Sequence, residues 1–260
     1  MTEPRQELIQ NLAEQLRRLE QTRRGPAERQ RTSLGVPALD QLLPGQGIGR
    51  GTLVEWLSRG EGSGAGTLTL WAARRICQAE AEREKEPGGL VVIDPRGEFY
   101  PPAAVACGID LTRLILVQPA NRSDRDWALD QSLRSAGVSA VWCWLADADS
   151  RALRRWQLAA ETGGAVGLLL RPISARNEPS FADVRLLVEA LGSSQGANGR
   201  EDLSSSTTPF SSLRRVRVEV LRARGTSGGG SVTLEIDDET GDVRLAAELA
   251  DPTRQRRTGS

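Results

Sequence analysis

The chain has no histidine and a single lysine among its 260 residues. Without imidazole there is no histidine general acid or base, no Ser-His triad and no His-ligated metal. The lone lysine, Lys85, falls in the solvated run Glu82-Arg83-Glu84-Lys85-Glu86, and every other basic residue is an arginine. Cysteine is scarce as well. Cys77, Cys107 and Cys143 stand far apart in apolar surroundings without C-x-x-C spacing, and they read as reduced core thiols of a cytoplasmic protein. No apolar run approaches the ~18 residues of a membrane span, and the segment MTEPRQELIQ has no apolar signal core. A soluble chain with no membrane partner is expected. Lys plus Arg and Asp plus Glu both number 34, so the formal net charge is zero. That balance argues against tight, non-specific nucleic-acid binding as the main task.

What the chain does have is a glycine-rich run, Arg59-Gly60-Glu61-Gly62-Ser63-Gly64-Ala65-Gly66-Thr67, between a strand pattern and a helix pattern. A phosphate-binding loop in this place reads G-x-x-x-x-G-K-[ST], with the lysine on the β/γ-phosphates and the hydroxyl on Mg²⁺. Here Ala65 and Gly66 follow Gly64 where those two residues belong. Two readings of Gly62, Ser63, Gly64, Gly66 and Thr67 stand side by side. Backbone N–H groups at a helix N-terminus form an anion-friendly nest that could still hold a phosphate or nucleotide weakly; alternatively the glycines only make a tight strand-to-helix turn. No metal and no firm cofactor are expected.

Leu8, Leu12, Leu16 and Leu19 recur at helical spacing before Gly25-Pro26, predicting an amphipathic helix whose stripe docks on its own domain, a like chain or a partner. From Thr32 onward short apolar strands alternate with helices: strands at 52–57, 89–94, 114–117, 139–145 and 166–170, helices at 68–80, 101–107, 124–136 and 150–162. Crossovers of that length imply a parallel sheet with helices on both faces, an α/β fold. A further strand is expected within 181–191. Residues 213–220 alternate charged and apolar side chains, and 232–236 and 243–245 follow after glycine turns, predicting an antiparallel edge. The expected organisation is a helix and tether over 1–30, a core over 31–248 containing a disordered Ser/Gly-rich loop at about 192–212, and a disordered tail over 249–260.

The fragments Ser33-Leu34-Gly35-Val36-Pro37-Ala38-Leu39-Asp40, Leu43-Pro44-Gly45-Gln46-Gly47-Ile48-Gly49-Arg50-Gly51, Val91-Val92-Ile93-Asp94, Cys107-Gly108-Ile109-Asp110-Leu111-Thr112-Arg113-Leu114 with Val117-Gln118-Pro119, and Arg154 to Glu161 come in an order that resembles the RecA recombinase family. Within it the chain is most similar to the ImuA family, the RecA-like accessory proteins of bacterial induced-mutagenesis cassettes. The resemblance implies a RecA-like core and a role in translesion synthesis, linking an inactive Y-family-like polymerase and an error-prone replicative polymerase. An active RecA-type ATPase also carries a carboxylate base, a metal-associated aspartate and a γ-phosphate-sensing glutamine. The matching places here hold Arg96, Trp144 and Pro172, although a small shift of alignment would bring Glu98 or Asp147 into a carboxylate role.

The expectation is therefore a non-catalytic scaffold. Its alternatives are a divergent DNA-dependent ATPase using arginine for lysine, and a damage-induced inhibitor of cell division. In the RecA family the loop after the strand matching Val166–Leu170 faces DNA, which makes Arg171, Arg176, Arg215 and Arg217 candidate DNA contacts; a solvated strand face accounts for them equally. The six tryptophans, Trp56, Trp71, Trp127, Trp142, Trp144 and Trp156, are expected in the core.

Overall fold

The computed structural model describes residues 30–60, 62–84, 87–191, 213–225 and 229–246. The leucine stripe Leu8, Leu12, Leu16 and Leu19, the loop at 192–212 and the tail at 249–260 lie outside the described residues.

Strands β1 (Arg31–Thr32) and β2 (Ile48–Gly49) pair antiparallel beside helix α1 (Pro37–Asp40). The core follows as β3 (Leu53–Ser58), α2 (Ala65–Ala81), β4 (Gly89–Ile93), α3 (Pro101–Ala106), β5 (Leu114–Val117), α4 (Arg122–Arg134), β6 (Val138–Trp144), α5 (Ser150–Gly163) and β7 (Val166–Pro172). A short 3-10 turn, Ile173–Asn177, leads to β8 (Val184–Ala190), and β9 (Leu213–Ala223), β10 (Ser231–Asp237) and β11 (Val243–Leu245) complete one sheet of nine strands. Its order is β11-β10-β9-β8-β3-β7-β6-β4-β5. From β8 to β5 every neighbouring pair is parallel, and from β8 to β11 every pair is antiparallel. The α/β reading, with its antiparallel C-terminal edge, is what the molecule shows.

Period-two alternation sorts the strand residues onto two faces. Val54, Trp56, Val92, Leu168, Val216, Val218 and Ile236 join Leu68, Trp71 and Ile76 of α2 in one core. Leu53, Val91, Val141 and Leu169 join Leu129 and Leu133 of α4 and Leu153 and Trp156 of α5 in the other. Helix starts are written in side chains: Asn121 accepts a hydrogen bond from the Asp124 N–H at 3.0 Å, and Asp149 from the Ala152 N–H at 2.7 Å.

Three sequence expectations are corrected. Helix α2 begins at Ala65 rather than Leu68, because the glycine run closes into the helix without further loop. Trp127 is 67% exposed, on the polar outer side of α4, while Trp56, Trp71, Trp142 and Trp156 are buried. The third concerns Arg171, taken up below. Among the described residues no helix is long and apolar enough to cross a membrane.

Candidate functional site

The glycine run leaves β3 at Ser58, whose last position lies beside Pro172 at the end of β7. Ser58 Oγ donates to the Gly60 carbonyl at 2.7 Å, shares a hydrogen bond with Ser63 Oγ at 2.8 Å and accepts from the Gly60 N–H at 3.1 Å. Ser63 Oγ in turn accepts from the Ala65 N–H at 3.4 Å. The hydroxyls of the loop are thus committed to the loop itself. Gly64 takes the left-handed conformation, φ +86°, that turns the chain into α2.

The C-terminal strands lie against this turn. A Cβ at Gly64 would stand 2.7 Å from Val216 Cγ1 and 3.1 Å from Ile236 Cδ1. A Cβ on Gly60, Gly62 or Gly66 meets nothing within 4 Å. Arg214, one alternation before Val216 on β9, donates from Nη1 to the Gly62 carbonyl at 3.2 Å and from Nη2 to Thr67 Oγ1 at 3.3 Å. The same Nη2 meets Asp238 Oδ1 at 2.6 Å. Sequence reasoning did not single out Arg214. Its signal was parity, since 214 shares the even register of the buried valines 216, 218 and 220.

The places expected for carboxylate chemistry hold other contacts. Asp94, 3% exposed at the end of β4, accepts from the Arg96 N–H at 3.2 Å and the Phe99 N–H at 2.8 Å, so it staples its own turn. Arg96 pairs with Glu98 at 2.8 Å and stacks over Trp144, 5.0 Å from the ring centroid. Asp147 meets Arg122 at 2.6 Å and Arg125 at 3.0 Å. The hydrogen bond from Arg125 holds its carboxyl below the usual range against the opposing effect of burial. Among the described residues no group of His, Cys, Asp or Glu is arranged to hold a metal ion. A separate cavity of about 180 Å³, lined in part by Arg74, Cys77, Leu90, Ile109 and Arg113, shares no residue with the loop. Burial pushes the Cys77 thiol there up to about 12, so it stays protonated.

The four candidate DNA-contact arginines are not brought together. Arg171 is fully buried, with its guanidinium 3.1 Å from Glu55 and 2.6 Å from Glu178, and it has no face for a polyanion. The cause is Glu55, a buried carboxylate in the central strand β3 that also takes Arg185 at 2.7 Å. Arg185 then donates to the carbonyls of Ala175 at 2.6 Å and Arg176 at 3.2 Å, bolting down the turn after β7. Arg176 is exposed on that turn. Arg215 pairs with Glu235 at 3.0 Å, and Arg217, exposed, reaches Ser231 Oγ at 3.3 Å.

No family model matches the chain. The fold is RecA-like: the crystal structure of the RadB recombinase superposes with a TM-score of 0.58 at 17% identity, over 83% of this chain and 100% of that one. More particularly, the chain is similar to Protein ImuA of Caulobacter vibrioides, with 28% identity over 228 residues, 84% of this chain and 90% of that protein, in two strains. The ImuA-like reading of the sequence is borne out. A shorter likeness, 31% over 67 residues, relates 26% of the chain to 40% of the cell division inhibitor SulA of Edwardsiella piscicida.

Proposed function

We propose that this chain is a non-catalytic RecA-like scaffold in DNA-damage-induced mutagenesis, acting through contacts with polymerase subunits. The observation that carries the reading is that the glycine loop runs into Ala65 and Gly66, where a hydrolytic loop needs a lysine and a hydroxyl. Phosphoryl transfer is catalysed by placed charges, and loss of one such donor typically costs ~10²–10³ in rate. Here Arg96 and Trp144 also stand where carboxylates are needed, so the deficits compound. The mutagenesis role follows the likeness to ImuA, and self-association through the Leu8–Leu19 stripe belongs to the same proposal. Any DNA contact is weak and rests on exposed arginines such as Arg176 and Arg217.

The test is hydrolysis by the purified chain, with and without single-stranded DNA, together with affinity capture from damaged cells. Turnover no faster than buffer and recovery of polymerase subunits are expected. Robust turnover overturns the reading in favour of a divergent ATPase. The SulA likeness supports a second reading, a damage-induced division inhibitor. Cells overproducing the chain would then filament without recovering polymerase partners.

A further inference from the structure

We propose that the glycine loop is retained as a socket for the chain's own C-terminal strands, with Arg214 as its internal occupant. The inference deepens the non-catalytic reading and rests on it. Three observations converge on the same spot. The left-handed Gly64 is sealed by Val216 and Ile236, one from each of β9 and β10, so closely that a methyl group would stand 2.7 Å from the valine. Arg214 spans the loop, hydrogen-bonding Gly62 at one end and Thr67 in the first turn of α2 at the other. Asp238, just past β10, neutralises and orients the guanidinium at 2.6 Å.

Arg214 donates to oxygens of the loop and is charge-compensated by a carboxylate of the same chain. Both of its terminal nitrogens are thereby engaged within the chain, and only Nε has no hydrogen-bond partner. The arrangement requires glycine at Gly64, by packing and by φ, whereas Gly66 faces open space.

The experiment compares Arg214→Ala, Arg214→Lys, Gly64→Ala and Gly66→Ala in the full chain, reading thermal melting and amide exchange over residues 62–67. Arg214→Ala is expected to speed exchange at the loop by about tenfold or more, as loss of charge-assisted hydrogen bonds does. Arg214→Lys does not restore protection, because one ammonium cannot span both ends. Gly64→Ala lowers the melting temperature and Gly66→Ala does not. Unchanged exchange in Arg214→Ala overturns the inference. So does stabilisation of the unaltered chain by millimolar Mg-ATP or pyrophosphate that disappears in Arg214→Ala, since the arginine then serves an external anion. Turnover in the hydrolysis assay sinks the scaffold reading instead; absent turnover with unchanged exchange sinks only the socket.

Discussion

Glu55 is a carboxylate with no exposure, in the middle of the sheet, and two guanidinium groups close around it. Removing one member of a buried ionic cluster strands the others in a low dielectric, which costs roughly 3–5 kcal/mol. Glu55→Gln should therefore lose about that much stability in urea titration, and the turn at Ile173–Asn177 should loosen with it. A loss within experimental error of zero would mean that Arg171 and Arg185 find new partners. At the glycine loop the corresponding expectation is chemical. Ala65→Lys combined with Gly66→Thr restores the lysine and the hydroxyl, but leaves Arg59 where the motif has its first glycine and the Arg96–Trp144 stack untouched, so steady-state assays should show no gain in ATP turnover.

Individual elements carry their own signatures. Asp149 caps α5, and Asp149→Ala should lower the midpoint of chemical denaturation. On the antiparallel extension, burial raises the carboxyl pKa of Glu235, but hydrogen bonds from Arg244 and Arg215 prevail and hold it below the usual range. A depressed carboxylate stabilises the fold above its unfolded pKa, and that contribution is lost as pH falls through the folded one. Melting temperature should drop on acidification below about pH 4.5, and Glu235→Gln should flatten that limb. The parallel strands were legible because runs such as Leu90 to Ile93 are apolar on both faces, and β9 to β11 because their alternation is period two. β1, β2 and α1 were not legible, since elements of two to four residues have no period. The turn between β1 and α1 is held by Asp40, whose carboxylate takes the Leu34 N–H at 2.8 Å and the Ser33 hydroxyl at 2.6 Å. Arg171 misled because its partner Glu55 lies 116 residues away, beyond any local pattern. Arg214 was hidden by the opposite problem, an arginine among arginines.

At the scale of the whole molecule, two apolar cores on opposite faces of one sheet draw their buried side chains, among the described residues, from 34–236, and the proposed assembly role puts the Leu8–Leu19 stripe outside them. A variant carrying Leu12→Asp and Leu16→Asp should accordingly melt close to the unaltered chain while losing its dimer or partner in sedimentation and capture experiments; a fall of many degrees would place the stripe in the core and end the assembly idea. The sheet order has a consequence for how the chain is made. β3 is the first strand of the large sheet to leave the ribosome, yet its two neighbours are β7 and β8, and the Leu53 N–H waits for the Asp183 carboxylate 130 residues later. Until β7 emerges, β3 with its Glu55 has neither edge paired, so the centre of the sheet should close only late in synthesis.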